Sequence, residues 1–310
     1  MKERYDVVIV GSGPAGLLAA LELAHDSRAE VLLLEKGKDL PERLRSAAVL
    51  DRLGAGCPPD VSANLVKGLG GAGTFSDGKL TLSPQVGGRL WEYVGEEQAQ
   101  SLIHYVEGVY RPFCLNTHLY GVGDEVERLR ERAAGAGLRL IPVPILHLGT
   151  DRCRLFLPRL DLATGVEAAR ILVSDGQVQG VETADGRRVL CRFLVIAPGR
   201  EGSDWLAGEA RRLALTTLLN PVDLGVRVEV PNEVLEGLTR VLYESKLEYY
   251  SKTFDDRVRT FCMCPAGEVT VETTGGGDPV TTVNGHSYAD QRTENTNFAL
   301  LVSTTFTEPF

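Results

Sequence analysis

The residues with the clearest chemical meaning are three closely spaced glycines near the start of the chain, Gly11, Gly13 and Gly16. They form a G-x-G-x-x-G motif whose last two variable positions are Pro14 and Ala15. In a dinucleotide-binding turn, the first glycine permits the tight bend and the second lets the backbone approach a pyrophosphate. The third lets the following helix pack closely on the sheet. All of these residues are therefore candidate contacts of a dinucleotide.

The segments on both sides of the motif have the patterns that such a turn requires. Tyr5–Val10 is typical of a buried parallel strand, Leu17–His25 has the composition of a helix, and Val31–Leu34 is a second strand-like run. This order places a pyrophosphate at the helix N-terminus, where unpaired N–H groups and the helix dipole favour an anion. Glu35 lies about 20 residues after the glycines, where a carboxylate accepts ribose hydroxyls. With the adjacent Lys36 it completes the candidate site for an ADP group.

A second glycine-rich segment, Gly68–Leu80, lacks the periodicity of a helix or a strand. Its composition indicates either a close approach of the backbone to something or a mobile loop, and composition alone leaves both open. Further along, Trp91–Tyr110 and Asp124–Ala136 have helical patterns, and Gly137 is placed to cap the second of these helices.

Strand patterns begin at Leu138–Val143. Ala168–Ser174 and Val178–Thr183 are predicted to pair as a hairpin, because Asp175–Gly176 between them is a strong turn signal. The run Phe193–Gly199 then predicts a buried strand that ends at a glycine turn.

This order of elements resembles the FAD-binding domain of the glutathione-reductase-like flavoprotein superfamily. In that superfamily an antiparallel meander covers one face of the parallel sheet, and the closing strand carries an Ala-Thr-Gly-like motif. Ala197-Pro198-Gly199 resembles that motif here, with Pro198 where the motif often has threonine. The resemblance implies FAD as the cofactor, with Ala197 and Gly199 among its contacts. Periodicity alone does not separate FAD from NAD, because the two cofactors share an ADP half.

Three segments resemble a narrower group, the poorly characterised NAD(P)/FAD-dependent oxidoreductases, also called FAD-dependent dehydrogenases. These segments are Gly70–Leu80, Thr260–Pro265 and Val283–Asp290. The resemblance implies that Gly71, Gly73, Ser76 and Lys79 contact the flavin or its phosphates. It also makes NAD(P)H a candidate electron donor. A solvated Lys79 without a role is the alternative.

The predicted fold class is α/β, with a Rossmann-like FAD-binding domain and a strand-rich substrate domain. The FAD-binding domain combines a parallel sheet with the antiparallel meander. We expect it over residues 1–215, with a helical excursion at about 85–120. The substrate domain is expected over residues 216–310, where it opens with the strand Val222–Val230 and is incomplete.

The end of the chain is expected to be truncated. Proteins of the superfamily close the flavin site with a later strand, turn and helix, and no such segment is found before Phe310. Such a chain is expected to hold FAD less tightly than an extended one. The strand-like run Phe298–Phe306 is then expected to leave one edge unpaired, which promotes association.

The flavin carries the redox chemistry itself, so no obligatory set of catalytic side chains follows from the sequence. Cys262 and Cys264 are candidates for a dithiol relay, with packing thiols as the alternative. In a strand they lie about 6.6 Å apart, too far for a disulfide without a bend that Pro265 is placed to supply. His286 follows the turn dipeptide Asn284–Gly285, and as an exposed loop residue it is a candidate acid or base. A histidine that only binds its neighbours is the alternative.

Composition excludes several other classes of function. The formal net charge of −9 argues against a nucleic-acid partner, because such proteins cluster Lys and Arg to neutralise phosphates. No apolar run approaches the roughly 18 residues of a membrane span, and the N-terminus leaves no room for a secretory signal. We therefore expect a cytoplasmic protein with a small-molecule substrate and six reduced cysteines. No metal site is predicted, since His104, His118 and His147 lack partners at the spacing of metal ligands.

The sequence thus predicts an FAD-dependent oxidoreductase that transfers hydride or electrons between the flavin and an unidentified substrate. Two alternatives stay open. One is a non-catalytic dinucleotide-binding module whose substrate half has decayed, and the other is an NAD-only dehydrogenase that uses the same motif. A reducible bound flavin separates the enzyme from the module, and a colourless holo form identifies the NAD-only dehydrogenase.

Overall fold

A computed structural model describes residues 1–26, 28–53, 64, 67–76, 78–114, 118–148, 162–218, 220–274, 280–288 and 292–305. Its helices, in chain order, are α1 (Pro14–Asp26), α2 (Leu40–Leu53), α3 (Leu90–Val94), α4 (Glu96–Tyr110), α5 (Asp124–Gly135), α6 (Ser203–Arg212) and α7 (Asn232–Leu242). Its strands are β1 (Arg4–Val10), β2 (Val31–Glu35), β3 (Lys79–Thr81), β4 (Arg139–Ile141), β5 (Ile145–His147), β6 (Leu162–Thr164), β7 (Ala168–Ser174), β8 (Gln177–Thr183), β9 (Arg188–Ile196), β10 (Val222–Pro231), β11 (Lys246–Tyr250), β12 (Arg257–Cys264), β13 (Glu268–Thr274), β14 (Val280–His286) and β15 (Asn295–Thr304).

The chain divides into two compact units, each made of segments that are distant in sequence. The first unit comprises Met1–Phe75, Leu157–Thr217 and Val271–Thr282, and the second comprises Ser76–Phe156, Leu218–Thr270 and Val283–Phe310. The predicted boundary after residue 215 lies close to the break at Thr217. The segment 76–156, which we expected in the first domain, instead groups with the second unit. The physical reason is backbone pairing, since β4 forms a ladder with β11.

The first unit is built on a six-stranded sheet with the strand order β6-β2-β1-β9-β8-β7. Strands β6, β2, β1 and β9 run parallel, and β9, β8 and β7 form an antiparallel meander. This arrangement confirms the predicted fold class. The predicted hairpin turn is also confirmed, because Asp175 and Gly176 have φ angles of 51° and 73°, as a two-residue hairpin turn requires.

Strand β1 is buried on both faces, which explains why its sequence is continuously apolar. On one face Val7 and Ile9 pack against Leu17 of α1. On the other face Val8 and Val10 belong to a cluster that includes residues of β2 and the meander. Because successive strand residues point to opposite faces, β1 ties the helix and the meander to one sheet and fixes the turn that follows it.

The second unit is built on an antiparallel sheet with the strand order β10-β15-β12-β11-β4. Helices α5 and α7 pack beside β4 through a cluster of apolar residues that includes Val126, Leu129, Leu140 and Leu242. Strand β3 pairs with β5, and elsewhere in the chain β13 pairs with β14. The helices predicted in the excursion are present as α3 and α4.

The position of β15 corrects one expectation. It pairs with β10 along its whole length, from Asn295 to Thr304, and with β12 on its other side. The expectation that Phe298–Phe306 leaves one edge unpaired is therefore wrong for the described part of this run. An apolar strand pattern shows that a strand is covered, but it does not show how many neighbouring strands it has.

Candidate functional site

The first unit contains a cavity of about 340 Å³ beside the carboxyl ends of β1, β2 and β9. In sheets of this kind, ligands bind at the carboxyl ends of the parallel strands. The predicted cofactor-binding residues that line the cavity are Gly11, Gly13, Pro14, Glu35, Lys36, Gly71, Gly73, Ala197 and Gly199. Ala15 and Gly16 lie in the first turn of α1, directly behind the lining residues.

The three glycines of the first turn are required for different reasons. Gly11 has a φ of +97°, and a Cβ atom there would lie 2.1 Å from the carbonyl oxygen of Ala197. A Cβ atom on Gly16 would lie 1.9 Å from the carbonyl oxygen of Gly11. A Cβ atom on Gly13, in contrast, would meet no heavy atom within 4 Å. Gly11 and Gly16 therefore allow the chain to pack, whereas Gly13 keeps the cavity clear.

Helix α1 begins at the edge of this cavity. Its first residue is Pro14, which is favoured at that position because it has no N–H group to leave unpaired. The N–H group of Leu17 donates to the carbonyl oxygen of Gly13 at 2.9 Å and closes the first turn. That turn contains no acidic side chain. No side chain of this turn therefore neutralises the positive end of the helix dipole, which favours an anion in the cavity.

Glu35 is 6% exposed, and its carboxylate accepts four hydrogen bonds from the chain. Oε2 accepts from the backbone N–H group of Ser12 at 3.0 Å and from its hydroxyl at 2.7 Å. Oε1 accepts from the backbone N–H groups of Gly37 at 2.7 Å and Gly68 at 3.1 Å. A carboxylate offers about four lone-pair sites, so these donors fill its capacity. Among them, only the Ser12 hydroxyl can rotate away, which marks the place where a ribose hydroxyl can enter.

The glycine-rich segment Gly68–Phe75 packs directly on the first turn. A Cβ atom on Gly71 would lie 2.9 Å from the Cα atom of Gly13, and one on Gly73 would lie 2.7 Å from Cγ of Pro14. Of the two interpretations left open by the composition, the structure supports close backbone approach. The glycines let this segment form a second wall of the cavity against the first.

Arg43 of α2 holds this segment in place. Its side chain is fully buried, and its guanidinium donates hydrogen bonds to the carbonyl oxygens of Asn64 (2.8 Å), Gly71 (2.8 Å) and Leu69 and to the hydroxyl of Thr74 (2.9 Å). Burial lowers the pKa of Arg43 to about 10, and the charge of Glu35 opposes this shift. The guanidinium is therefore still charged at neutral pH. Its planar set of donors connects α2 to several points of the glycine-rich segment at once.

The described lining residues include three cationic side chains, which differ in their pairing. Lys36 lies 3.5 Å from the carboxylate of Glu201, and Arg200 lies 3.3 Å from that of Glu272. Lys67 has no hydrogen-bond or ion-pair partner within the described ranges. Its charge is therefore available to an anionic ligand.

An apolar wall completes the cavity on the side of the meander. It is formed by Val166, Ala168 and the indole of Trp205. The Nε1–H group of Trp205 donates to the carbonyl oxygen of Ala169 at 2.9 Å, which fixes the orientation of the ring. A flat, apolar wall of this kind suits a planar base.

Two of the predicted cofactor contacts, Ser76 and Lys79, belong to the second unit. The ammonium group of Lys79 lies 3.1 Å from the carboxylate of Glu244 and donates to the carbonyl oxygen of Met263 at 2.8 Å. Burial raises the pKa of Glu244, but the charges of Lys79 and Lys246 together outweigh it and lower the pKa to about 2. The alternative of a solvated Lys79 is therefore wrong. Its contact with a flavin stays a prediction.

Cys262 and Cys264 are free thiols of the second unit. Strand β12 is irregular just before Cys264, and Cys262 has a φ of +48°. The bend thus occurs at Cys262, before the predicted position at Pro265. The sulfur of Cys262 lies 3.9 Å from the ammonium group of Lys79 and 3.6 Å from Oδ1 of Asn284, whereas Cys264 is fully buried. A dithiol relay stays a prediction.

His286 differs from the expectation of an exposed loop residue. It is the last residue of β14 and is 8% exposed. The strand continues through Asn284–Gly285, which the sequence alone indicates as a turn. A glycine fits there because a Cβ atom on Gly285 would lie 2.3 Å from Oδ1 of Asn297. The role of His286 as an acid or base stays a prediction.

The described residues contain no group of three or more His, Cys, Asp or Glu side chains placed to hold a metal ion. None of their helices combines the length and the apolar character needed to cross a membrane. Cys114 and Cys191 are free thiols, and the predicted thiols Cys57 and Cys153 lie outside the described residues.

Sequence reasoning did not single out Ser12, Arg43, Lys67 or Trp205. Ser12 occupies a variable position of the motif, so its type carries no signal by itself. Lys67 directly precedes the glycine-rich segment. A lysine next to several glycines is a pattern from which an anion site could have been predicted. Nothing in the local sequence distinguishes Arg43 or Trp205 from ordinary helix residues.

Two segments of this chain match known protein families. Residues 6–47 match "FAD binding domain", and residues 221–309 match "FAD-dependent protein, C-terminal domain-like". The first match contains the glycine motif and Glu35, which line the cavity, and Arg43, which holds the glycine-rich segment in place. These matches confirm the resemblance to FAD-binding flavoproteins and FAD as the cofactor.

Similar proteins are longer than this chain. An uncharacterized protein of Clostridium beijerinckii is 27% identical over 307 residues, which are 96% of this chain and 51% of that protein. A digeranylgeranylglycerophospholipid reductase of Methanosarcina mazei is 26% identical over 190 residues, covering 59% of this chain and 42% of the reductase. The chain thus spans about half the length, or less, of these curated relatives. Among solved structures, the glycine oxidase of Bacillus cereus aligns with 97% of this chain and 83% of its own, at 15% identity and a TM-score of 0.42.

Proposed function

We propose that this chain holds FAD in the cavity of the first unit and is the cofactor-binding part of an oxidoreductase that acts on a small molecule. The observation that carries the proposal is the open space at Gly13. Gly13 lines the cavity next to the N-terminus of α1, and a Cβ atom there would meet no heavy atom of the protein within 4 Å. A space that only glycine keeps open at a helix N-terminus suits a pyrophosphate.

The lining residues suggest where each portion of the ADP half is held. The pyrophosphate is assigned to Gly13 and the first turn of α1, with the ammonium group of Lys67 as its counter-charge. The ribose is assigned to Glu35, and the adenine to the apolar wall at Val166 and Trp205. The cavity volume of about 340 Å³ is at the lower end of the range for ligand pockets, as expected if it holds this half of the cofactor.

FAD, when bound, supplies the redox chemistry by accepting or donating a hydride or electrons. The task of the first unit is then to bind and orient the ADP half through backbone donors and Glu35, while Arg43 holds the glycine-rich wall in place. We assign the substrate domain to the second unit, which contains Cys262, Cys264 and His286. NAD(P)H is the proposed electron donor, and a cytoplasmic location stays a proposal from the sequence.

The ribose assignment predicts opposite outcomes for the two partners of one hydrogen bond. Glu35→Gln is expected to weaken FAD binding by about 10- to 100-fold, because a hydrogen bond to a charged group contributes about 1.5–3 kcal/mol. Ser12→Ala removes only the hydroxyl that competes with the ribose for Oε2, so FAD affinity is expected to stay within about threefold or to increase. Fluorescence titration of FAD into the cofactor-free chain measures both affinities.

Thermal unfolding of the two variants without FAD is the control for this comparison. In the Glu35→Gln chain the introduced NH2 group must face at least one backbone N–H donor, so some loss of stability is expected in that variant. A folded Glu35→Gln chain with unchanged FAD affinity would show that the ribose is held elsewhere.

The oxidoreductase proposal is tested by the absorbance spectrum of the purified chain reconstituted with FAD. We expect the bands of a bound flavin, and we expect them to bleach when NAD(P)H is added without oxygen. If the flavin is bound but neither NAD(P)H nor any tested small-molecule substrate reduces it, the result favours the non-catalytic module. A chain that binds NAD and no flavin would contradict the assignment of the cavity.

A further inference from the structure

A second and larger cavity, of about 730 Å³, lies wholly within the second unit. One side is formed by the last turns of α7 and by Tyr243, which directly follows that helix. Another side contains Tyr120 and the end of β5, and a third contains the turn after β12 and the start of β15. A volume of this size is typical of pockets that enclose a small organic ligand. The glycine-framed cavity of the first unit shares no residue with it.

Four rings form a continuous wall of this cavity. His118 meets Tyr120 edge to face with ring centroids 4.4 Å apart, and the Tyr120 centroid lies 5.1 Å from that of Tyr243. The rings of Tyr243 and His147 follow at 4.4 Å, and the Tyr243 hydroxyl is hydrogen-bonded to Nε2 of His147 at 2.7 Å. Tyr243 is buried, so it supports the other three rings, which are more exposed. These rings present their faces and edges to any planar group in the cavity.

The backbone at Tyr243 is held in a rare conformation. Its φ and ψ are 56° and −66°, and the N–H group of Glu244 donates to the carbonyl oxygen of Leu242 at 2.6 Å across it. These are the features of the strained form of γ-turn, which a tyrosine rarely adopts. Ala266, a second lining residue, also has a positive φ, of 46°. Strained non-glycine residues of this kind cluster at ligand sites, where the surrounding structure maintains them.

The charged residues of the wall are of two kinds. Arg240 lies 3.7 Å from the carboxylate of Glu125. Arg292 and Glu236, in contrast, have no hydrogen-bond or ion-pair partner among the residues that the structure describes. The guanidinium of Arg292, at the wall of a cavity, is suited to bidentate recognition of a carboxylate.

We propose that this cavity binds a small molecule that combines a planar ring with a carboxylate. The ring lies against His118, Tyr120 and His147, and the carboxylate is bound by Arg292. This site goes beyond the flavin function and does not rest on it. The carboxylate of Glu236 lies on the same wall and has the same charge as the carboxylate of the ligand. It therefore disfavours ligands that carry a second negative charge.

The test is calorimetric titration of the full chain, loaded with FAD, with three ring carboxylates of increasing reach: benzoate, phenylacetate and 3-phenylpropionate. At least one is expected to bind saturably at one site per chain. Its saturated-ring counterpart, or the alcohol in place of the acid, is expected to bind more weakly. Arg292→Gln is expected to weaken binding by about 10-fold, and Tyr120→Leu by about 2- to 10-fold.

Glu236→Gln is the matched control, because it removes a charge of the opposite sign from the same wall. It is expected to leave carboxylate affinity unchanged or to increase it. Circular dichroism of each variant establishes that it is folded. Failure of all three carboxylates to bind, or equal affinity in folded Arg292→Gln and Tyr120→Leu chains, would overturn the proposal. Because heat is measured rather than flavin colour, a chain that fails to retain FAD still gives an answer for this cavity.

Discussion

Replacing Gly13 with valine is expected to abolish FAD retention while the chain stays folded. The added side chain meets no heavy atom of the protein within 4 Å of its Cβ atom, and the φ of Gly13 is not in the left-handed region, so the backbone accepts it. The same side chain fills the space assigned to the pyrophosphate. We expect FAD affinity to fall by at least about 100-fold, or about 2.7 kcal/mol. Flavin content after gel filtration and the FAD titration measure this effect.

Two kinds of control make this result specific. Gly88→Val also places a side chain where a Cβ atom meets nothing within 4 Å, but outside the cavity, and it is expected to keep full FAD content. Gly11→Val is expected to prevent folding, because its Cβ atom would lie 2.1 Å from a backbone oxygen at a φ of +97°. Normal flavin content in a folded Gly13→Val chain would count decisively against the site.

Replacing Arg43 with methionine is expected to lower the free energy of unfolding by about 3–5 kcal/mol, since several buried acceptors each lose a donor at about 1–3 kcal/mol. The acceptors are the oxygens of Asn64, Leu69, Gly71 and Thr74. FAD affinity is expected to fall as well, because the glycine-rich wall loses its attachment to α2. Urea denaturation and FAD titration measure the two effects.

Arg45→Met on the same helix is the matched control for this prediction. Arg45 is exposed and lies two residues from Arg43, so its replacement is expected to change stability by less than about 0.5 kcal/mol. Arg43→Lys keeps the charge but not the planar set of donors, and an intermediate loss of stability is expected. Equal stability of Arg43→Met and Arg45→Met would mean that the buried guanidinium contributes nothing to the fold.

The part of the fold that the sequence predicts best is governed by local rules. The apolar run of β1, the motif glycines and the turn at Asp175 and Gly176 are each determined by neighbours within a few positions. The same is true of Glu35, whose distance from the motif follows from the length of one helix and one strand. Local periodicity was therefore enough to place one side of the cavity.

Contacts between segments that are distant in the chain could not be predicted from the sequence. The local sequence around Arg43 is that of an ordinary helix. Its guanidinium is buried and hydrogen-bonded only because the glycine-rich segment packs against it. Lys79 and Glu244 are far apart in the chain, and no local signal indicates that one lysine will pair with that carboxylate. The same limitation explains why residues 76–156 could not be grouped with the second unit from the sequence, since β4 is short and its partner β11 lies about a hundred residues later.

The wall that we assign to the pyrophosphate consists of backbone, and this has a consequence for how cofactor affinity can vary. Gly13 and the first turn of α1 offer N–H groups rather than side chains, so a side-chain substitution cannot adjust these backbone contacts gradually, as it can at Lys67. The position of those donors depends on how Leu17 rests on Val7 and Ile9. Close-packed cores transmit small shifts of position. Substitutions in this apolar cluster are therefore expected to change FAD affinity in small steps, by moving the N–H donors. FAD binds the folded chain and so stabilises it. Variants of this cluster that retain FAD better are therefore expected to have a higher thermal stability as well, whether selection acts on stability or on FAD retention.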